Sequence, residues 1–184
     1  FSPGGWDSCG GERLSFGATE VTVMHLPGHT PGHSGFAFPR EGFIFTADID
    51  LEPFGPWYGN RWSSVDDFLD SLERIRRLSP DYIITGHAPK PITSGIRALL
   101  DDFRDVIFRR EKEIIRILLT GKNTIMEIAN EQPIYRGHPK RIFLFEWMMI
   151  RHHLNRLERL GKVVRERELF FPVDGVRLSN LNLG

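Results

Sequence analysis

His25-Leu26-Pro27-Gly28-His29-Thr30-Pro31-Gly32-His33-Ser34-Gly35 is the stretch on which the reading of this chain turns. It sets three histidines, three glycines and two prolines between apolar runs. Ahead of it, Val21, Val23 and Leu26 predict a strand. Behind it, Phe36, Phe38, Phe43, Ile44 and Phe45 predict a strand pair turned through Pro39-Arg40-Glu41-Gly42. Glycine and proline at this density fix a loop of special backbone geometry. A histidine at a strand end on such a loop presents an imidazole nitrogen rigidly, as a metal requires. Taken singly, a histidine in such a turn more often faces water, so the rest of the chain decides.

Two later patterns bear on it. Phe43-Ile44-Phe45-Thr46-Ala47-Asp48 is an apolar strand ending in a carboxylate, and Tyr82-Ile83-Ile84-Thr85-Gly86-His87 is an apolar strand ending in Gly-His. Three strand ends thus deliver His29, Asp48 and His87, donors that zinc or iron accepts.

In this combination the sequence resembles the metallo-β-lactamase superfamily, the fold of glyoxalase II and many other hydrolases. The resemblance covers roughly residues 12 to 90. It implies that His29 is a metal ligand, that Asp48 bridges two metals, and that His87 binds the second. It implies two divalent ions, zinc first, with iron or manganese as alternatives, and a bridging solvent as nucleophile. His33, close to His29, is expected to support the ligands rather than join them. The family's main signature, His-x-His-x-Asp-His, does not occur: the histidines are 25, 29, 33, 87, 138, 152 and 153. The expectation is therefore the second half of a metallo-β-lactamase αββα sandwich, entered in mid-domain, with its partner half in an absent segment or a second chain. An uncovered sheet would then favour a homo-oligomer.

Composition narrows the class. Of 184 residues, 40 % are hydrophobic and 26 % charged, as in ordinary globular chains. No apolar run approaches the ~20 residues of a membrane span, so no membrane partner is expected. Cys9 is the only cysteine, which excludes an intrachain disulfide and makes the cytoplasm the default. Cys9 sits in a glycine-rich loop over residues 1–11 and reads as incidental. The net charge of zero conceals a split: residues 1–135 carry 14 Lys+Arg against 19 Asp+Glu, and residues 136–184 carry 10 against 5. Such asymmetry marks two functions or two faces that meet.

Between Asp48 and Trp62, prolines, glycines and aromatics dominate and no period holds. Phe54, Trp57, Tyr58 and Trp62 could wall the mouth of the site; Trp57 and Tyr58 are the candidate substrate-binding residues, against the alternative that they pack under a helix. Ser63-Ser64-Val65-Asp66-Asp67 opens a helix whose Val65, Phe68, Leu69, Leu72, Ile75 and Leu78 share a buried face. Residues 92–119 are helix-compatible, with Arg109-Arg110-Glu111-Lys112-Glu113 as a hinge or exposed span. With the resemblance, residues 1–108 are expected to form the sandwich half and 109–184 a second, winged-helix domain.

In that second domain, Thr124-Ile125-Met126-Glu127 is a capping box. A helix over 143–160 follows, with Trp147, Ile150, Leu154, Leu157 and Leu160 inward. Lys162–Arg165 and residues 169–178 then form strands. Three helices and a two-stranded wing resemble a winged helix-turn-helix. The predicted core is Ile128, Trp147, Leu154, Leu157 and Val163. Arg151, His152, Asn155, Arg156 and Arg159 could line an outer face suited to phosphates, with Arg165 and Arg167 on the wing. Glutamates 158, 166 and 168 interleave, so packing or lid duty is favoured over nucleic acid.

The functional expectation is a metal-dependent hydrolase acting on a small-molecule ester or thioester, active only with its other half, with Asp48 catalytic. Two alternatives stay open. One is a nucleic-acid-processing hydrolase whose winged helix grips RNA or DNA; the other is a non-catalytic interaction module retaining half a metal site.

Overall fold

A computed structural model describes residues 11–137 and 142–178. Cys9, His138 and the N-terminal glycine-rich segment before Gly11 lie outside the described residues.

Five strands form one mixed sheet in the order β1 (Arg13–Phe16), β2 (Thr19–His25), β3 (Ser34–Phe38), β4 (Phe43–Phe45) and β5 (Tyr82–Ile84). The first four run antiparallel to their neighbours; β5 joins β4 in parallel, as its crossover through helix α1 (Val65–Leu78) demands. Strand alternation sorts the side chains onto two faces. Thr22, Met24, Gly35, Ala37, Ile44 and Ile83 share one face and are buried. That face packs with Val65, Phe68, Leu72 and Ile75 of α1 and with Leu100, Phe103 and Ile107 of α2 (Ile96–Leu118). The opposite face carries Val23, Phe36, Phe38, Phe43, Phe45, Tyr82 and Ile84, all only half-buried. There Phe38, Phe43 and Tyr82 stack in a row at ring separations of 4.2 and 4.9 Å.

Helix α1 starts where Ser64 Oγ accepts from Asp67 N. It stops at Ser79, in left-handed conformation, ahead of Pro80. Helix α2 runs without interruption through 109–113, so the expected hinge and the expected boundary between 108 and 109 fall inside one helix. The reason is that Arg110 and Glu111 are buried and paired rather than solvated. Their positions continue the spacing of Phe103, Ile107 and Ile114 down the buried side of α2.

The remaining elements are α3 (Ile125–Asn130), α4 (Phe143–Arg159) and a hairpin of β6 (Val163–Glu166) with β7 (Leu169–Pro172). Thr124 and Glu127 close the reciprocal cap that starts α3. The hairpin turns through Arg167 and Glu168, so β6 pairs with 169–172; residues 176–178 form no strand of it. The second core consists of Ile114, Ile115, Ile117, Leu118, Ile128, Ala129, Ile150, Leu154, Leu157, Val163 and Phe170. Trp147, expected within it, is half-exposed beneath the Arg151 guanidinium, and Leu160 is exposed at the C-cap. Among the described residues no helix is long and apolar enough to cross a membrane.

Candidate metal centre

The register of the parallel pair prepares the site. Phe45 stands opposite Ile84, and both chains continue for three residues to Asp48 and to His87. Thr46 N donates to Ile84 O at 2.9 Å and Gly86 N to Ala47 O at 2.8 Å, which carries the pairing past the strands. Ala47 adopts a left-handed φ of 48°, an uncommon conformation for a residue with a Cβ. The result sets His87 Nε2 3.1 Å from Asp48 Oδ1.

The histidine loop arrives from the other side. It is clamped onto α1: Ser64 N donates to Gly28 O at 3.0 Å and Ser71 Oγ to Pro27 O at 2.7 Å. Gly28 has φ 129°, and a Cβ there would lie 2.4 Å from Phe68 Cα, so only glycine lets the loop approach the helix. Leu26 N donates to His33 O at 2.9 Å, closing the loop's neck.

His29 and His33 are held differently. His29 Nδ1–H donates to the carbonyl of Trp57 at 3.0 Å, which leaves the Nε2 lone pair facing Asp48 Oδ2 at 3.7 Å. His33 has both nitrogens engaged. Its Nδ1–H donates to Leu26 O at 2.8 Å and its Nε2 accepts from Asp48 N at 3.2 Å. Burial lowers the His33 pKa, partly opposed by the bond to Leu26 O, in keeping with an imidazole that must stay neutral to accept. So three imidazoles surround Asp48: His87 is hydrogen-bonded to its carboxylate through Nε2, His29 turns Nε2 toward it, and His33 grips its backbone. His25 is elsewhere: its Nε2–H donates to Pro31 O at 2.6 Å on the exposed side of the loop.

Of the two candidate substrate-wall residues, Trp57 is half-buried with its ring 5.2 Å from that of His29. Its Nε1–H donates to Tyr135 Oη at 2.7 Å, and Phe145 of α4 packs edge-on against it. Tyr58 corrects the expectation. It is fully buried, pointing away from the site into the join with the C-terminal helices, where its hydroxyl donates to His153 Nε2 at 2.7 Å. Burial pushes its pKa up to about 12. Phe54 and Trp62 are exposed, the first tilted against Tyr135 and the second beneath Arg61.

The sequence pattern does not single out the residues that hold this arrangement from behind. Asn60 Nδ2 and Ser63 Oγ both donate to His29 O at 2.7 Å. Arg110 donates to Phe54 O and Pro56 O, both at 2.6 Å, and to Tyr58 Oη at 2.9 Å. His152 Nε2–H donates to Asn60 O at 2.8 Å. Arg156 pairs with Glu111 and Asp66, and Arg159 with Asp66. The α4 face expected to meet phosphate is therefore turned toward the start of α1. There it lines a cavity of about 260 Å³ together with Ser63, Ser64 and Asp66.

The donors fit a divalent ion in kind: imidazole nitrogens, one fixed through its second nitrogen to a carbonyl, about a shared carboxylate. As they stand, no three His, Cys, Asp or Glu among the described residues form a complete metal-holding group.

Residues 1–87 match the model of the metallo-beta-lactamase superfamily. The chain is 26 % identical over 150 residues to a beta-lactamase-like protein 2 homolog from Drosophila melanogaster, covering 78 % of this chain and 47 % of that protein. It is 32 % identical over 125 residues to a hydroxyacylglutathione hydrolase from Jannaschia sp. (strain CCS1), covering 66 % of this chain and 47 % of the relative. The chain thus spans about half the length of the curated relatives it matches. A crystal structure of a metallo-beta-lactamase family protein from Thermus thermophilus shares the fold, with a TM-score of 0.70 over 88 % of this chain and 52 % of that one, at 24 % identity.

Proposed function

We propose that this chain supplies part of a metal-dependent hydrolase of the metallo-beta-lactamase superfamily, acting on an ester or thioester; the family match over residues 1–87 supports this reading, and the likeness to a solved structure supports the fold. The observation that carries this reading is the gathering of His29, His33 and His87 about Asp48, with His29 Nε2 freed for a ligand by the Trp57 carbonyl. His29, Asp48 and His87 would hold the ions, zinc first. The chemistry a divalent ion supplies is polarisation of the substrate carbonyl and a lowered pKa for water. His33 fixes the Asp48 backbone, and the Trp57 ring offers the apolar surface beside the site. The likeness to a hydroxyacylglutathione hydrolase supports a thioester substrate.

In this reading residues 109–184 are a winged-helix module that shares α2 with the sandwich. The half-buried aromatic face of the sheet is where a second sheet, from further sequence or a second chain, would pack, bringing further ligands. The buried positions of His152 and Arg156 favour packing over nucleic-acid binding for α4.

The test is metal content and thioester hydrolysis of this chain, alone and joined to a segment carrying His-x-His-x-Asp-His. The joined form should bind two ions and turn over thioester, and Asp48→Asn should abolish turnover and weaken ion binding. A joined form that holds no metal would overturn the hydrolase reading and leave an interaction module.

A further inference from the structure

Two hydrogen-bond routes lead from the C-terminal helices to one imidazole. The first starts on α2. Arg110, only 5 % exposed, spreads its guanidinium over the carbonyls of Phe54 and Pro56 and the hydroxyl of Tyr58. These three oxygens bracket Trp57, the residue whose own carbonyl takes the Nδ1–H of His29 at 3.0 Å. The second starts on α4. His152 donates to the carbonyl of Asn60, and the Asn60 side chain donates to the carbonyl of His29 at 2.7 Å. One route fixes the ring, and the other, together with Ser63 Oγ on the same carbonyl, fixes its backbone.

We propose that Arg110 and Asn60 are positioning residues: through them the C-terminal helices hold His29 in the Nδ1–H tautomer, with Nε2 aimed at Asp48. The physical logic is specific. Segment 54–57 has no regular secondary structure of its own, so the position of the Trp57 carbonyl depends on what grips its neighbours. A guanidinium is a rigid planar fork whose two Nη groups meet the Pro56 and Phe54 carbonyls at a fixed spacing, whereas an ammonium is a compact donor on a flexible stem. An imidazole whose Nδ1–H is bound to a carbonyl is confined to one tautomer and one orientation, whereas an untethered one samples both tautomers. That the aimed nitrogen serves a metal rests on the hydrolase reading; the aiming itself does not.

The test uses the full 184-residue chain, free of metal, and four variants: Arg110→Gln, Arg110→Lys, Asn60→Ala, and Leu157→Ala as a control that loosens the second core without touching either route. The first readout is the ¹⁵N spectrum of the His29 imidazole. The parent and Leu157→Ala should show a single Nδ1–H tautomer, and Arg110→Gln and Asn60→Ala a mixture. The second is Co²⁺ affinity by chelator competition, expected to fall about tenfold in those two variants and not in the control. Arg110→Lys should recover only part of the order. If Arg110→Gln fails to fold, Asn60→Ala, whose side chain is only half-buried, decides the question. A pure tautomer in Asn60→Ala, or a mixture of equal size in Leu157→Ala, would overturn the proposal. A parent with ordered His29 that binds no Co²⁺, even joined to further ligands, would instead sink the metal reading and leave the positioning intact.

Discussion

Arg156 Nη1 lies 3.0 and 2.8 Å from the two carboxylate oxygens of Glu111, and the pair ties α4 to α2 where neither group meets bulk water. The same carboxylate accepts from His153 Nδ1 at 3.3 Å, and His153 Nε2 accepts from Tyr58. Removing Glu111 leaves Arg156 Nη1 without its carboxylate, with Asp66 holding only Nε, and removing Arg156 leaves the buried Glu111 carboxylate to His153 alone. Glu111→Ala should therefore cost about 3–5 kcal/mol in urea unfolding. Glu111→Leu combined with Arg156→Met should cost clearly less than the two single changes added together, because no charge is left unpaired.

Acid should weaken the fold through His152 and His153. Burial holds both imidazoles below their ordinary value of 6.5. Unfolding then takes up protons, so their contribution is whole above about pH 6.5 and is lost as the pH falls through the lower folded values. The urea midpoint, followed from about pH 7.5 to pH 5, should drop. The slope should flatten in His153→Gln, which has no proton to take up; an unchanged slope would contradict the neutral assignment.

Gly28→Ala combines two penalties, a positive φ and a Cβ set against the α1 backbone at Phe68. Backbone strain and overpacking together should cost about 2–5 kcal/mol in thermal or urea unfolding. Gly32→Ala, where a Cβ meets nothing within 4 Å, is the matched control and should be nearly neutral.

His33 Nε2 accepts from Asp48 N at 3.2 Å and lies 3.9 Å from Asp48 Oδ2, and its other nitrogen is spent on Leu26. If His29, Asp48 and His87 hold an ion, His33→Ala should weaken Zn²⁺ binding by about 10–100-fold, the range typical of supporting groups. His29→Ala and Asp48→Asn should weaken it further. Chelator competition in the polypeptide that supplies the remaining ligands ranks these variants. Equal losses for His33 and His29 would make His33 a ligand.

The sheet and its order of elements are legible in the sequence because alternation and turn chemistry agree locally. Val21 to Leu26, the turn at Gly42 and the Thr124–Glu127 cap each carry their signal within a few residues. The gathering about Asp48 is legible for a different reason: equal offsets past two paired strands bring His87 beside it. What escapes a sequence reading is contact made across long separations. Arg110 and Glu111 look like a solvated run when read by composition. Only their spacing, in step with Phe103, Ile107 and Ile114, betrays a buried face. Tyr58 stands beside Trp57 in sequence, yet one faces the site and the other the helices. In a segment without a period, nothing local assigns those directions. Arg156 and His152 sit on the basic side of α4, and their acidic or carbonyl partners lie about ninety residues earlier.

Helix α2 spans roughly 34 Å at 1.5 Å per residue and lends its first half to one core and its second half to the other. The two cores consequently have no seam. Among the described residues the chain passes from one core to the other inside a helix, not through a loop. A recombination event cutting near residue 109 would hand each descendant half a helix and an orphaned arginine or glutamate. Whatever this chain does, the two parts have to be inherited, folded and degraded as one object.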